Sequence, residues 1–466
     1  MSFFLGIDLG TSYFKVGLFD EKGRLHGLGR QPLIKNSRDA MCEVEPAVFW
    51  KTLRACIDQA MTEAQIACKE IDALSYSSQT NSFVLLDKAD KPLTPLILWS
   101  DERVIELPES ITKLTENKDF LFRTGQGIMP GVQSMIAKID WIRKRDTDIW
   151  KETKHILSIS DYLIYSLTGE KISDLSTSSM TGLLDIINHT WWKEALNIFG
   201  IEQADLSIPV KTGTEIGKLT AKGAERIGLS PGIKMFAGGL DHHMVAVGAG
   251  LTHLDYISES TGTVLACVNY VAGYHPRKDV NIAPGLDSNR YFQMAFNTNG
   301  AAALEWYQKN FGLEYTIPEL LELAEAVEPG CEGLTAKPNA DKFEWPDGFN
   351  NIEEKHSHAH FVRAILESTS LSLLELVNKV DPINRVTTII PSGGGAQSRL
   401  WLQIKANLTN KLFLLPESGE LACKGAALLC SVGTSCYKSM EEAIEHQVRT
   451  KEVIKPDKVP YTETKK

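Results

Sequence analysis

Gly6-Ile7-Asp8-Leu9-Gly10-Thr11-Ser12-Tyr13-Phe14-Lys15-Val16-Gly17-Leu18-Phe19-Asp20 sets two apolar runs on either side of a glycine and hydroxyl turn. The run from Phe3 to Asp8 ends at glycine, and that from Val16 to Phe19 ends at the polar turn Asp20-Glu21-Lys22-Gly23, so the two read as strands of a β-hairpin ladder. At so tight a turn Gly10 lets backbone N–H groups approach a phosphate, Thr11 and Ser12 add hydroxyl donors, and Asp8 offers a carboxylate to a hydrated Mg²⁺. The same residues equally suit a hairpin whose glycine and hydroxyls satisfy only the local backbone.

Working outward, Pro46 opens a helix whose apolar residues Val48, Leu53, Cys56, Ile57 and Met61 recur at helical spacing to about Ala64. Strands are expected at Ile71 to Ser75 and Phe83 to Leu86, a short strand or loop at Pro95 to Trp99, and helices around Ile136 to Ile142 and Asp161 to Leu167. This alternation is that of an α/β protein. Tyr256 to Glu259, the turn Ser260-Thr261-Gly262-Thr263 and Val264 to Val268 repeat the opening pattern about half a chain later, as a duplicated fold would. A helix over Ala359 to Val380, a buried strand over Val386 to Pro391 and an alanine-rich helix over Leu421 to Ser431 follow. The Lys- and Pro-containing tail is expected to be loosely held. At 466 residues the chain exceeds what one core usually fills, and two domains are expected, residues 1–250 and 251–466.

Three further constellations bear on chemistry. Gly262 and Thr263 form a second phosphate-type turn. Pro391-Ser392-Gly393-Gly394-Gly395-Ala396-Gln397-Ser398 runs from a strand into a helix, where bare backbone and a helix N-terminus favour a flat or anionic ligand, yet it has neither the dinucleotide spacing nor a Walker-type lysine. Gly238-Gly239-Leu240-Asp241-His242-His243 places one acid after a strand and a glycine pair, as a catalytic base or a helix cap. His242 and His243 are expected in packing or solvent contact, because adjacent helix residues point about 100° apart. His356, His358 and His360 would share one side of a strand, but the tract leads into a helical pattern and lacks zinc spacing.

Composition narrows the class. The chain is 43% hydrophobic and 23% charged, with no apolar run long enough to cross a bilayer. Its start lacks the charged region and cleavage site of a secretory signal, and its eight cysteines include no C-x-x-C pair, so reduced thiols and a cytoplasmic location are expected. A net charge of −10 without a basic stripe argues against nucleic acid as a partner.

In this order the four segments resemble the FGGY family of carbohydrate kinases, within the actin, hexokinase and heat-shock chaperone superfamily. GIDLGTSYFKVGLFD is similar to the family's first phosphate motif, SESTGT to its second, GGLDHHMVAVGAG to the segment with the catalytic aspartate, and GGGAQSRLWLQIKANLTNKLFLL to its adenosine-side signature. DYLIYSLTGEKISDLSTSSMTGLLD and the run from Glu420 to Ala427 are also similar to family stretches. The resemblance implies two ribonuclease-H-like (actin-like ATPase) domains with a catalytic cleft between them, ATP and Mg²⁺ as cofactors, and a sugar or polyol as substrate, with a homodimer allowed. It implies that Asp241 takes the proton of the attacking hydroxyl and that Asp8 positions Mg²⁺. Gly10, Thr11, Ser12, Lys15, Gly262 and Thr263 would hold phosphates, and Gly394, Gly395, Ala396 and Ser398 the nucleoside side.

For the substrate, the matching family region holds Gln79, Thr80 and Asn81 together with Trp99, Asp101 and Arg103. It lacks the Met-His pair of many xylulose kinases and the Arg-Glu pair of glycerol kinases, and the spacing around Asp241 is somewhat nearer that of fuculose-type deoxysugar kinases. Met135 stands where the family pattern has Ser, Pro or Thr before Lys138. The expected reaction is ATP-dependent phosphorylation of a ketopentose, deoxyketose, polyol or sugar acid. The alternative is a catalytically silent sensor of nucleotide and sugar on the same fold.

Overall fold

The computed structural model describes residues 2–457. The chain forms two compact units. The first comprises Met1–Gly250, Val271–Phe292 and Glu420–Val448, the second Leu251–Tyr270, Gln293–Gly419 and Arg449–Lys466. A break at residue 250 therefore describes the first long segment, while two later segments return to the first unit.

The first unit is built on the expected hairpin. Phe3–Leu9 pairs antiparallel with Tyr13–Asp20, which pairs antiparallel with Leu25–Pro32. On its other side Phe3–Leu9 runs parallel to Ile71–Ser78, and that strand runs parallel to both Lys234–Phe236 and Gly239–Leu240. Alternating burial suits one face of the hairpin to the helix Pro46–Ala64, whose Phe49, Leu53, Cys56, Ile57 and Ala60 are buried with Leu5, Ile7, Phe14 and Val16. The opposite face takes the helix Leu421–Gly433. Phe4, Phe19, Ala73 and Phe236 pack there with Cys423, Ala427 and Cys430. The approach is so close that a Cβ on Gly6 would lie 1.8 Å from the Cys423 carbonyl oxygen. That contact draws residues 420–448 back across the sequence, a long-range match that no local pattern announces.

A five-stranded sheet, Asn36–Arg38, Met41–Val44, Leu96–Ile97, Phe83–Leu86 and His155–Ser158, sits beside the first and carries the Trp99 segment on its third strand. The second unit repeats the hairpin logic: Tyr256–Thr261 pairs antiparallel with Leu265–Ala272 and parallel with Thr388–Gly393, which runs parallel to Leu412–Pro416. Thr450–Ile454 adds to Leu412–Pro416 as an antiparallel strand, so this part of the tail is not loose; the rest of it, residues 458–466, lies outside the described residues.

The long helix starts at His358 and runs to Val380, so the histidine tract does not form the strand that would align its rings. His358 pairs with Tyr307, 2.9 Å away, His356 Nδ1 accepts from the Glu353 N–H, and His360 shares a capping box with Ser357. Each ring is used in local packing or capping. Among the described residues no helix is long and apolar enough to cross a membrane.

Candidate active site

Three adjacent parallel strands end together. Asp8 lies opposite Ser77, Ser77 lies opposite Gly239, and Asp241 begins the helix two residues beyond Gly239. Side chains just past the carboxyl ends of parallel strands are where open α/β sheets bind ligands. Ser77 donates its hydroxyl to Asp8 Oδ1 at 3.1 Å. Burial pushes the Asp8 carboxyl up to about 6; Lys15 pulls it down, and the negative charge of Asp241 pushes it up again. Lys15, facing Asp8 across the hairpin, also pairs with Glu420 at 2.8 Å. Burial works against its ammonium, but Glu420 and Asp8 overcome that and hold it above the usual lysine range. The result is a compact group of three carboxylates and one cation, assembled from the beginning, the middle and the end of the sequence.

Asp241 is half-buried at the first turn of Asp241–Gly248, and its Oδ1 accepts from the His242 N–H at 2.7 Å. The strand leading to it is held from below: the Leu240 N–H donates to Ser176 Oγ at 3.0 Å, and Ser176 Oγ also meets His243 Nδ1 at 2.7 Å. His243 is buried and stacked on Phe292, and burial depresses its imidazole to about 3, a neutral packing residue as expected. Tyr76 donates to Asp174 Oδ2 at 2.9 Å. The family-like stretch around residues 161–185 thus props the strands that present Asp8 and Asp241.

The turn at Gly10 is tied to the substrate-side segment by a closed circuit. Gln79 Nε2 donates to the Leu9 and Gly10 carbonyls at 3.3 and 3.2 Å, Ser82 Oγ donates to Gln79 Oε1 at 2.8 Å, and the Trp99 N–H donates to Ser82 Oγ at 2.9 Å. The Trp99 indole then donates to Thr11 Oγ1 at 2.7 Å and closes the ring. Ser12 stands exposed at the crest of the turn. Lys138, fully buried, spends all three donors on the carbonyls of Leu98, Trp99 and Gln133 at 2.8 to 2.9 Å, and burial brings its ammonium down to about 7.

Other expected contacts are already engaged. Asp101 is buried, accepts from the Cys42 N–H at 2.7 Å, and pairs with Arg103, which also binds Glu43. Burial would raise Asp101, yet Arg103 and Cys42 keep it below the usual carboxylate range. Asn81 Oδ1 caps the helix Met135–Arg145 by accepting from the Met135 N–H at 3.0 Å, and Thr80 Oγ1 donates to the Thr177 carbonyl at 3.4 Å. Of these residues Thr80, Asn81, Trp99 and Arg103 retain partial exposure, while Gln79 and Asp101 are buried. Sequence reasoning gave no role to Ser82 and placed Ser77, Lys138, Ser176 and Glu420 only within family-like stretches; nothing local pairs Glu420 with Lys15.

In the second unit Thr261 lies opposite Gly393, where one strand ends in the turn with Gly262 and Thr263 and the other in the glycine loop. A single turn of 3-10 helix, Gly394–Gln397, separates that strand from the helix Arg399–Thr409, whose N-cap Ser398 accepts from the Trp401 N–H at 3.2 Å. The three glycines are not equivalent. Gly393 has φ +77° and a Cβ there would meet the Thr261 carbonyl oxygen at 2.5 Å, while a Cβ on Gly395 would meet the Thr261 side chain at 2.8 Å. Gly394 has nothing nearer than 4.0 Å, and Gly262 nothing nearer than 3.9 Å, so these two present bare backbone. Ala396 follows in the same half-exposed turn.

Models of the N-terminal and C-terminal domains of the FGGY family of carbohydrate kinases match residues 3–248 and 266–434. The chain belongs to that family. The xylulose kinase of Bacillus subtilis is 27% identical over 470 residues, spanning 96% of this chain and 92% of that protein. The gluconokinase of the same organism is 28% identical over 479 residues, spanning 94% and 89%. A ligand-bound xylulose kinase from Lactobacillus acidophilus superposes with a TM-score of 0.86 at 20% identity, covering 98% of this chain and 94% of that one, a likeness of fold. The protein is a carbohydrate kinase with the actin-like ATPase fold.

Proposed function

We propose that the protein transfers the γ-phosphoryl group of ATP to a hydroxyl of a small sugar, with Asp241 as the general base. The observation that supports this most is the convergence of Asp8, Ser77 and Asp241 at the ends of three parallel strands, with Lys15 as the cation of the group. Asp241 takes the hydroxyl proton as the sugar oxygen forms its bond to the γ-phosphorus. The bond from that phosphorus to the β–γ bridging oxygen breaks, and ADP leaves with the electron pair. Such transfer needs in-line placement and neutralised charge more than covalent help.

The donor set suits a hydrated magnesium ion, which prefers one or two carboxylates and phosphate oxygens to an all-protein cage. Asp8 would hold it, and the ion would supply positive charge to the phosphates. In the first unit Lys15, Thr11, Ser12 and the Gly10 backbone are assigned to phosphates; in the second, Gly262 and Thr263 are assigned to phosphates and Gly394, Gly395, Ala396 and Ser398 to the nucleoside. Thr80, Asn81 and Trp99 would contact the sugar. Gln79, Asp101 and Arg103 act one layer behind, by holding the turn and the Trp99 segment.

A ketopentose is the first acceptor to test, because the B. subtilis relative is named a xylulose kinase; a sugar acid is the second, from the gluconokinase. ADP release measured across ketopentoses, deoxyketoses, polyols and aldonates should rise with one of them. In Asp241→Asn it should fall about 1,000-fold while Mg-ADP still binds. Binding of sugar and nucleotide without any phosphorylated product by mass spectrometry would instead establish a sensor.

A further inference from the structure

Beneath the second glycine turn lies an ion pair that the proposed chemistry does not use. Glu259 and Lys405 are both 0% exposed, and Lys405 Nζ lies 3.0 Å from Glu259 Oε1. Lys405 Nζ also donates to Thr261 Oγ1 at 2.6 Å, and the Thr261 hydroxyl hydrogen-bonds to Glu259 Oε1. The Trp401 ring, one turn earlier on the same helix, sits 5.0 Å from the ammonium. Ser392 Oγ donates to the Glu259 carbonyl at 2.8 Å. Glu259 Oε2 is buried and accepts no hydrogen bond among the described residues.

A pair so deep is a poor source of stability, since desolvating two charges offsets most of their attraction and apolar replacements are often neutral or better. What the pair does supply is geometry. Thr261 is held through its hydroxyl by both charges, and both glycine segments are built around Thr261: Gly393 approaches its carbonyl and Gly395 its side chain more closely than any Cβ allows. Lys405 Nζ itself would lie 3.1 Å from a Cβ on Gly395. The strand, the glycine loop and the helix Arg399–Thr409 are thus pinned at one residue that precedes Gly262 and Thr263.

We propose that Glu259 and Lys405 are positioning residues for the nucleotide, fixing Thr261 so that the Gly262-Thr263 turn and the Gly393–Gly395 loop hold one geometry. This rests on the assignment of those two segments to the nucleotide. The test is calorimetric titration of Mg-ADP, with acceptor KM and thermal stability measured alongside. Lys405→Met should weaken Mg-ADP binding roughly tenfold or more while acceptor KM stays within about twofold.

The neutral double variant Glu259→Gln with Lys405→Met leaves no charge buried, so its thermal stability should return towards that of the parent while nucleotide binding stays weak. Recovery of nucleotide affinity together with stability would overturn the proposal and leave the pair a core element only. Unchanged affinity in Lys405→Met would do the same. If Lys405→Met does not fold, the double variant decides alone. Failure of the unmodified protein to bind Mg-ADP would remove the nucleotide assignment itself, and the proposal with it.

Discussion

In the first unit Asp8 faces Lys15 across the hairpin, both feel Glu420, and Asp8 also feels Asp241. In the second unit the charge sits differently: Glu259 faces Cys267 across its hairpin, and its counter-charge, Lys405, arrives from a helix that starts after the glycine loop. The strand frame is the same, a hairpin with a parallel strand beside it. In the first unit the carboxylates keep some exposure and one titrates near neutrality, so their charge is available to a ligand. In the second the charges are buried and bound to each other and to Thr261, so they shape the backbone that a ligand meets. The same strand frame thus carries partly exposed charge in one unit and fully buried charge in the other.

The sharpest way to break this contrast is at Asp8. Asp8→Asn should lower kcat/KM about 100-fold, through lost charge at the phosphates, while leaving acceptor binding near normal. In the metal-free protein the Asp8 carboxyl should titrate near 6 by carbon-13 NMR. Asp241→Asn should move that value down and Lys15→Met should move it up; no response to either would separate the two carboxylates. Because the native state holds this proton more tightly than the unfolded chain, the group favours the fold at acid pH, and that contribution is lost as pH rises from about 4 to about 6.

Next in size is the second unit's glycine loop. Gly395→Ala forces its methyl against Thr261 and should cost about 1–3 kcal/mol in denaturant unfolding, whereas Gly394→Ala meets open space and should unfold like the parent. If Gly394→Ala nevertheless loses Mg-ADP affinity in titration, bare backbone at that position serves the nucleotide. The smallest effect is expected at Trp99→Phe, which removes the indole donor to Thr11 Oγ1. A lost hydrogen bond of about 1 kcal/mol should raise acceptor KM several-fold and leave nucleotide binding unchanged. An equal change in both would mean that the circuit through Gln79 and Ser82 serves the phosphate turn rather than the sugar wall.

Much of the frame was legible because it is local. The hairpins at Asp8 and Thr261, the helix opened by Pro46 and the strand before the glycine loop follow from period-two and helical spacing with glycine at the turns. Asp241 was legible as an acid at the end of a strand. The residues read as sugar contacts were harder, since Gln79, Asp101 and Arg103 are the types that bind sugars and also the types that tie loops to backbone. Here they hold the Gly10 turn, Cys42 and Glu43. The histidine tract was legible, because alternation aligns side chains only in a strand and the helical pattern that begins at His358 shows in the sequence.

By itself the sequence determined the α/β class, the repeated strand-turn-strand units and the acid that ends the strand at Leu240, all properties carried by neighbours along the chain. Only the tertiary structure decided that residues 420–448 close over the first sheet, that Glu420 meets Lys15, and that Lys405 meets Glu259. The physical reason is distance along the chain. A buried charge pays for desolvation only if a partner is present in space, and here those partners stand 405 and 146 residues away, where no local spacing records them.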